Sequence, residues 1–92
     1  MKKKQTIPKW FNGVVYDKGT NVTNPFSGES YELNALELSI YDFVIGANRV
    51  LEEAYDRQEA PSKRLEKIMK DLYKGLDWFK VNNAEAYMIL LD

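Results

Sequence analysis

The chain predicts a small α+β domain, and three patterns carry that prediction. Leu33 to Tyr55 shows a helix-period apolar stripe behind a capping signature, and Pro61 to Lys80 shows a second stripe. Ahead of both, Gly13-Val14-Val15-Tyr16 and Thr20-Asn21-Val22-Thr23 flank Asp17-Lys18-Gly19, as two strands flank a three-residue turn. The expected architecture is an N-terminal β-hairpin over about 13–23 packed on two or three α-helices, at about 35–56, 62–80 and 83–91. A flexible basic tail is expected at 1–6, with 7–92 as one domain.

In the hairpin, the turn places Tyr16 opposite Thr20 and Val14 opposite Val22, with Gly19 suited to the left-handed position of a bulge. A two-stranded ribbon is marginal alone, so it must lie on the helices or add its edge to another copy. Asn24-Pro25-Phe26-Ser27-Gly28-Glu29-Ser30 reads as a turn. Its first three residues also spell a tripeptide read by some endocytic adaptors, and Asn21-Val22-Thr23 fits the glycosylation acceptor pattern. Without a secretion signal, the second has no route to use.

Asn34 can cap the first long helix, Glu37 closes a capping box, and Leu33 with Leu38 form a staple. Leu36, Ile40, Phe43, Val44, Ala47, Val50, Leu51 and Ala54 share its core-facing stripe, while Leu38, Tyr41 and Ile45 make a second arc. Gly46 lies on the polar side, which suggests either a close backbone approach or a tolerated residue. In the next helix Leu65, Ile68, Met69, Leu72, Leu76 and Phe79 share one face, and Lys63, Lys67, Lys70 and Lys74 line the opposite one. An unbroken helix would put Trp78 beside those lysines. Either the helix breaks near Gly75, another segment buries Trp78, or an aromatic stands exposed on a basic face. Asn82 and Glu85 are positioned to cap a last short helix over Ala86 to Leu91, although that apolar run could also be a buried strand.

Composition narrows the function. Hydrophobic residues at 45% and aromatics at 13% argue for a folded, soluble chain of 92 residues, near the size where oligomerisation often supplements the core. There is no Cys and no His, which removes thiolate chemistry, the commonest general base and the commonest transition-metal ligands. No phosphate loop, dinucleotide fingerprint or nucleophile elbow appears, so the chain reads as non-enzymatic, with no cofactor and no metal. The acids Glu52, Glu53, Asp56 and Glu59 cluster without calcium-loop spacing and read as a solvated face. Gln5, Thr6, Pro8 and Lys9 interrupt any signal-peptide core, and no stretch is long enough to span a membrane, so a cytoplasmic location is expected.

Net charge is −1, but residues 1–34 carry five Lys against three acids, 35–60 two Arg against six acids, and 62–80 six basic residues against three. The expected arrangement packs the acidic helix antiparallel to the basic one with attracting rims.

Trp10-Phe11-Asn12-Gly13, Val22-Thr23-Asn24-Pro25-Phe26-Ser27-Gly28-Glu29, Lys74-Gly75-Leu76-Asp77-Trp78-Phe79 and Asn83-Ala84-Glu85-Ala86-Tyr87-Met88 together resemble a family of short uncharacterised proteins encoded by tailed phages of marine cyanobacteria. The resemblance implies a setting, an accessory protein in an infected bacterial cytoplasm that binds a host or viral protein, and carries no activity. The residues themselves suggest an interaction protein, expected as a homodimer, with Trp10, Phe11, Leu38, Tyr41, Ile45 and Trp78 as interface candidates. The alternative is a nucleic-acid accessory using Lys63, Lys67, Lys70 and Lys74 with Trp78, against which the acidic balance counts. A third reading is a minor structural component of the virion.

Overall fold

The first long helix begins where its sequence says it should. In the computed structural model, which describes residues 5–92, Asn34 Oδ1 accepts the Glu37 amide at 2.8 Å and Glu37 Oε1 accepts the Asn34 amide at 2.9 Å. This reciprocal box starts α1 (Ala35–Asp56), matching the expected span. The helix stops without a glycine. The Gln58 amide donates to the Tyr55 carbonyl and the Glu59 amide to the Ala54 carbonyl, each at 3.0 Å, with Gln58 in the left-handed region at φ 55°. That is a Schellman closure built on a residue that disfavours it.

Ser62 then caps α2 (Lys63–Asn82), accepting the Leu65 amide at 3.2 Å. A short connection makes α1 and α2 antiparallel neighbours, with Ile40, Val44 and Ala47 buried against Leu72 and Phe79. They approach closely at Gly75. A Cβ there would stand 2.6 Å from Val44 Cγ2 and 3.6 Å from Trp10 Cη2, so only glycine lets the helices meet at this level. The close approach considered for Gly46 is therefore corrected, since that position faces open space.

The fold is α+β, with a two-stranded antiparallel hairpin followed by helices. The position of the hairpin differs from the expected 13–23. It pairs β1 (Thr20–Thr23) with β2 (Ser30–Leu33), Thr20 opposite Leu33 and Val22 opposite Tyr31. The turn between them is closed by its own hydrogen bonds. The Asn24 amide donates to the Glu29 carbonyl and the Gly28 amide to the Asn24 carbonyl, both at 2.8 Å, and Asn24 Oδ1 accepts the Phe26 amide at 2.9 Å. Gly28, at φ 77°, supplies the left-handed residue that closes it. Gly19 has another task, since a Cβ there would collide with the Leu33 carbonyl oxygen. Residues 13–16 instead cross the start of α1. The Tyr16 amide donates to Ser39 Oγ at 2.8 Å, and the Tyr16 hydroxyl to Asp42 at 2.6 Å. A backbone donor satisfied by a helix side chain has no need of a ladder.

Asn83, one residue later than expected, caps the last helix and accepts the Ala86 amide at 3.2 Å. Asn82 ends α2 and turns its side chain back to the Trp78 carbonyl at 2.9 Å. The terminal segment is helical: α3 (Ala84–Ala86) widens into a π-helical turn (Tyr87–Leu91), closed by the Asp92 amide on the Tyr87 carbonyl at 2.8 Å. It buries Ala86 and Leu90, and Lys80 stands 5.1 Å over the Tyr87 ring.

One polar group lies deep in this packing. Glu37 is 2% exposed, and its carboxylate accepts Gln5 Nε2 and Asn83 Nδ2, both at 2.8 Å, besides the Asn34 amide. Asn83 Oδ1 in turn accepts the Tyr31 hydroxyl at 3.3 Å, and Asn34 Nδ2 donates to Gln5 Oε1 at 2.9 Å. Gln5, near the end of the tail expected at 1–6, is thus bonded to both Glu37 and Asn34. The first four residues of that tail lie outside the described ones.

The charged rims do not pair as expected. Among the described residues, ion pairs run within elements or around the connection, Arg57 to Glu53 and Glu59, and Lys67 and Lys74 to Asp71, and none joins α1 to α2. Apolar contact and the Gly75 approach hold the two helices together. No helix among the described residues is long and apolar enough to cross a membrane.

Candidate functional site

At about 100° per residue, Tyr41, Ile45, Asn48, Glu52 and Tyr55 share one side of α1, and Met69, Leu72, Tyr73 and Leu76 share one side of α2. These sides flank a groove between the helices. The opposite flank of the helix pair is closed by the N-terminal segment, where Trp10, Phe11 and Phe43 form a triad with ring centroids 5.8 to 6.0 Å apart. The grooved side is bordered at one end by the hairpin turn and the terminal turn. Its lower end is a cleft of about 380 Å³ walled by Tyr41, Val44 and Ile45 from α1, Leu72 and Leu76 from α2, and Leu90 and Leu91 from the terminal turn. Farther along, Leu51, Ala54 and Tyr55 face Leu65 and Met69 across a second recess.

The mouth of the lower cleft is formed by the hairpin turn. Asn24 and Pro25 line it, and Asn24 Nδ2 donates to the Ile89 carbonyl at 3.0 Å, tying the turn to the end of the chain. Phe26 stands at the rim with 97% of its surface exposed. A full aromatic ring in water on a hydrogen-bonded turn is the most conspicuous apolar group of the surface. Tyr55 at 84%, with Tyr73 and Met69, continues the exposed apolar surface toward the acidic end of α1.

The sequence candidates separate into three sets. Tyr41 and Ile45 line the cleft, Ile45 being 37% exposed. Trp10 and Leu38 are half-buried against the core. Phe11 and Trp78 are core residues, each 8% exposed, which corrects their place as interface candidates. For Trp78 the reason is specific. α2 runs unbroken through Gly75, and the N-terminal segment comes over it, so that Trp10 and Trp78 flank one shallow depression with Lys74. Trp78 packs edge-on against Phe79 at 5.2 Å and offers no stacking face to a base.

Lys63, Lys67, Lys70 and Lys74 are all exposed, but Lys67 lies 2.9 Å and Lys74 3.9 Å from Asp71. The stripe is partly neutralised within its own helix. In the cleft, burial pushes the Tyr41 hydroxyl above its ordinary pKa, and the neighbouring Asp42 carboxylate adds to the effect. The Tyr16 hydroxyl is raised by its hydrogen bond to Asp42 and by that carboxylate's charge. Among the described residues no three acidic side chains converge as ligands for a metal ion.

Sequence reasoning missed Phe26 and the leucines of the cleft. Leu72 and Leu76 read as core, and in part they are. The available signal for Phe26 was an apolar residue within a polar turn, with no hydrophobic neighbour at strand or helix spacing. The chain matches no protein-family model, no curated protein and no solved structure among those with which it was compared.

Proposed function

We propose that this is a small non-enzymatic accessory protein that works by protein–protein contact through the open side of its helix pair. One observation carries the reading: an apolar cleft between the helices, bordered by the hairpin turn and the terminal turn, lies beside an aromatic ring that is 97% exposed. Two features weigh against the nucleic-acid alternative. Trp78 is withdrawn into the core, and half of the lysine stripe is paired with Asp71. The phage setting, in the cytoplasm of an infected bacterium, is supported by the sequence resemblance alone.

The reading is tested by placing a photo-reactive phenylalanine analogue at Ile45, in the cleft wall, and separately at Lys63, away from it. Discrete crosslinked protein adducts from position 45 and none from 63 are expected. A smear from both positions, or no adduct at 45, would sink the contact reading. Salt-sensitive binding of the purified protein to a DNA duplex, lost on Lys63→Glu and Lys70→Glu, would install the alternative.

A further inference from the structure

Resting on that contact reading, we propose that the groove takes a basic amphipathic helix of a different protein, its apolar face on the groove and its Lys or Arg side chains against the carboxylates around it. The groove is apolar along its length. Leu72 and Leu76 line the lower cleft and Leu51 and Met69 the upper recess, and Asn48 bridges the two by donating to Glu52 Oε1 at 3.2 Å. From Tyr41 to Tyr55 this surface follows α1 for about four turns, or roughly 21 Å, the length of a short helix lying alongside. Among the described residues no strand lines it. An incoming chain therefore meets no open backbone edge there, which favours an element whose backbone hydrogen bonds are already made.

Charge selects the occupant. Asp92 lines the lower cleft, Glu52 and Asp56 the recess beside Tyr55, and Glu59 and Glu66 the upper one, whereas no Lys or Arg lines any of the three. Among the described residues Arg57 approaches Glu59 at 3.8 Å, and Glu52, Asp56, Glu66 and Asp92 take part in no ion pair. These carboxylates stand around one apolar trough, while the lysine stripe lies on the opposite face of α2. An acidic or nucleic-acid partner is repelled there, and a cationic one is steered in. The chain cannot supply such a helix to a second copy, since the apolar face of its own basic helix is already packed on α1.

The experiment is fluorescence anisotropy with a labelled synthetic helix of about four turns, leucine on one face and lysine on the other, beside the same peptide with glutamate in place of lysine. The wild-type chain should bind the lysine peptide and leave the glutamate peptide free, with affinity falling as salt rises. Glu52→Lys should weaken binding roughly tenfold, whereas Glu53→Lys, the same charge change on a residue that lines none of the three recesses, should alter it less than about threefold. Ile45→Ser should weaken it roughly fivefold, which attraction between charges alone would not require. Equal binding of the two peptides, no binding of either, or equal effects of the two lysine substitutions overturns the proposal. If the Ile45 crosslinker captures a protein whose joined segment is acidic or extended, the helix inference fails and the contact reading stands. If it captures none and the lysine peptide does not bind, both fail.

Discussion

The Glu37 carboxylate accepts the side-chain amide of Asn83 at 2.8 Å, across 46 positions of sequence. The same two residues cap helices. Glu37 belongs to the box that starts α1, and Asn83 accepts the Ala86 amide that starts α3. A single hydrogen bond therefore fixes where two helices begin relative to one another. Because it is made to a carboxylate buried among donors, it belongs to the strong class.

Every contact to Glu37 is a donor: the Asn34 amide, Gln5 Nε2 and Asn83 Nδ2. Glu37→Gln keeps the shape but turns an amide donor toward other donors. A loss of about 2 kcal/mol is expected, within the range for a buried polar mismatch, read as a lower urea midpoint with unchanged slope. Asn83→Ala should cost a similar amount, and the two losses should fall short of additive in the double variant.

Gly75 and Gly46 should respond oppositely to alanine. At Gly75 the new methyl meets the stiff, buried Val44, so a net loss of about 1–2 kcal/mol is expected after the gain in helix propensity. At Gly46 nothing lies within 4 Å, and alanine should stabilise by roughly 0.5–1 kcal/mol. Paired thermal melts measure both. A stabilising Gly75→Ala would mean that the helices are farther apart than described.

Gln58 holds a left-handed conformation that L side chains resist. Gln58→Gly should raise stability by about 1 kcal/mol through relief of that strain, with no change in the spectrum of the folded state. Equilibrium unfolding in urea decides it.

The Tyr16–Asp42 contact has a sign in pH. The neutral phenol donates to the carboxylate and the tyrosinate repels it, so folding raises the pKa of Tyr16. Its contribution is complete below the unfolded value near 10 and disappears as pH climbs through the higher folded value. Tyrosinate absorbance should show a late-titrating component. Asp42→Asn should move the Tyr16 part of that component back toward ordinary tyrosine, leaving the portion of Tyr41 that burial causes.

Helix content was legible because its signals are local. Asn34, Glu37 and the apolar stripe define α1 within a few turns of chain, and Ser62 does the same for α2. The hairpin was misplaced because two turn signals competed. Asp17-Lys18-Gly19 has the spacing, but the choice was made by contacts absent from local sequence, Tyr16 on Ser39 and Asn24 on the Ile89 carbonyl. Trp78 was ambiguous for a related reason. Helical phase puts it beside the lysines, and the depression it borders is shared with Trp10, far away in the chain. The cleft was invisible as a cleft, since it exists only where four separated segments leave space between them. Of its walls, the second apolar arc of α1 was readable, in Tyr41 and Ile45.

Gln5 and Asn83 hold the same oxygen of Glu37, each at 2.8 Å. The described chain is therefore a loop fastened in part at the start of the first helix, where its early and late segments meet, besides the Asn24–Ile89 and Tyr31–Asn83 bonds. Mechanical tension applied between those segments would be shared by the Glu37 clasp and the Asn24–Ile89 and Tyr31–Asn83 bonds before it reached the α1–α2 seam. The helix pair, whose ends are joined by a short covalent link, would be the last part to part.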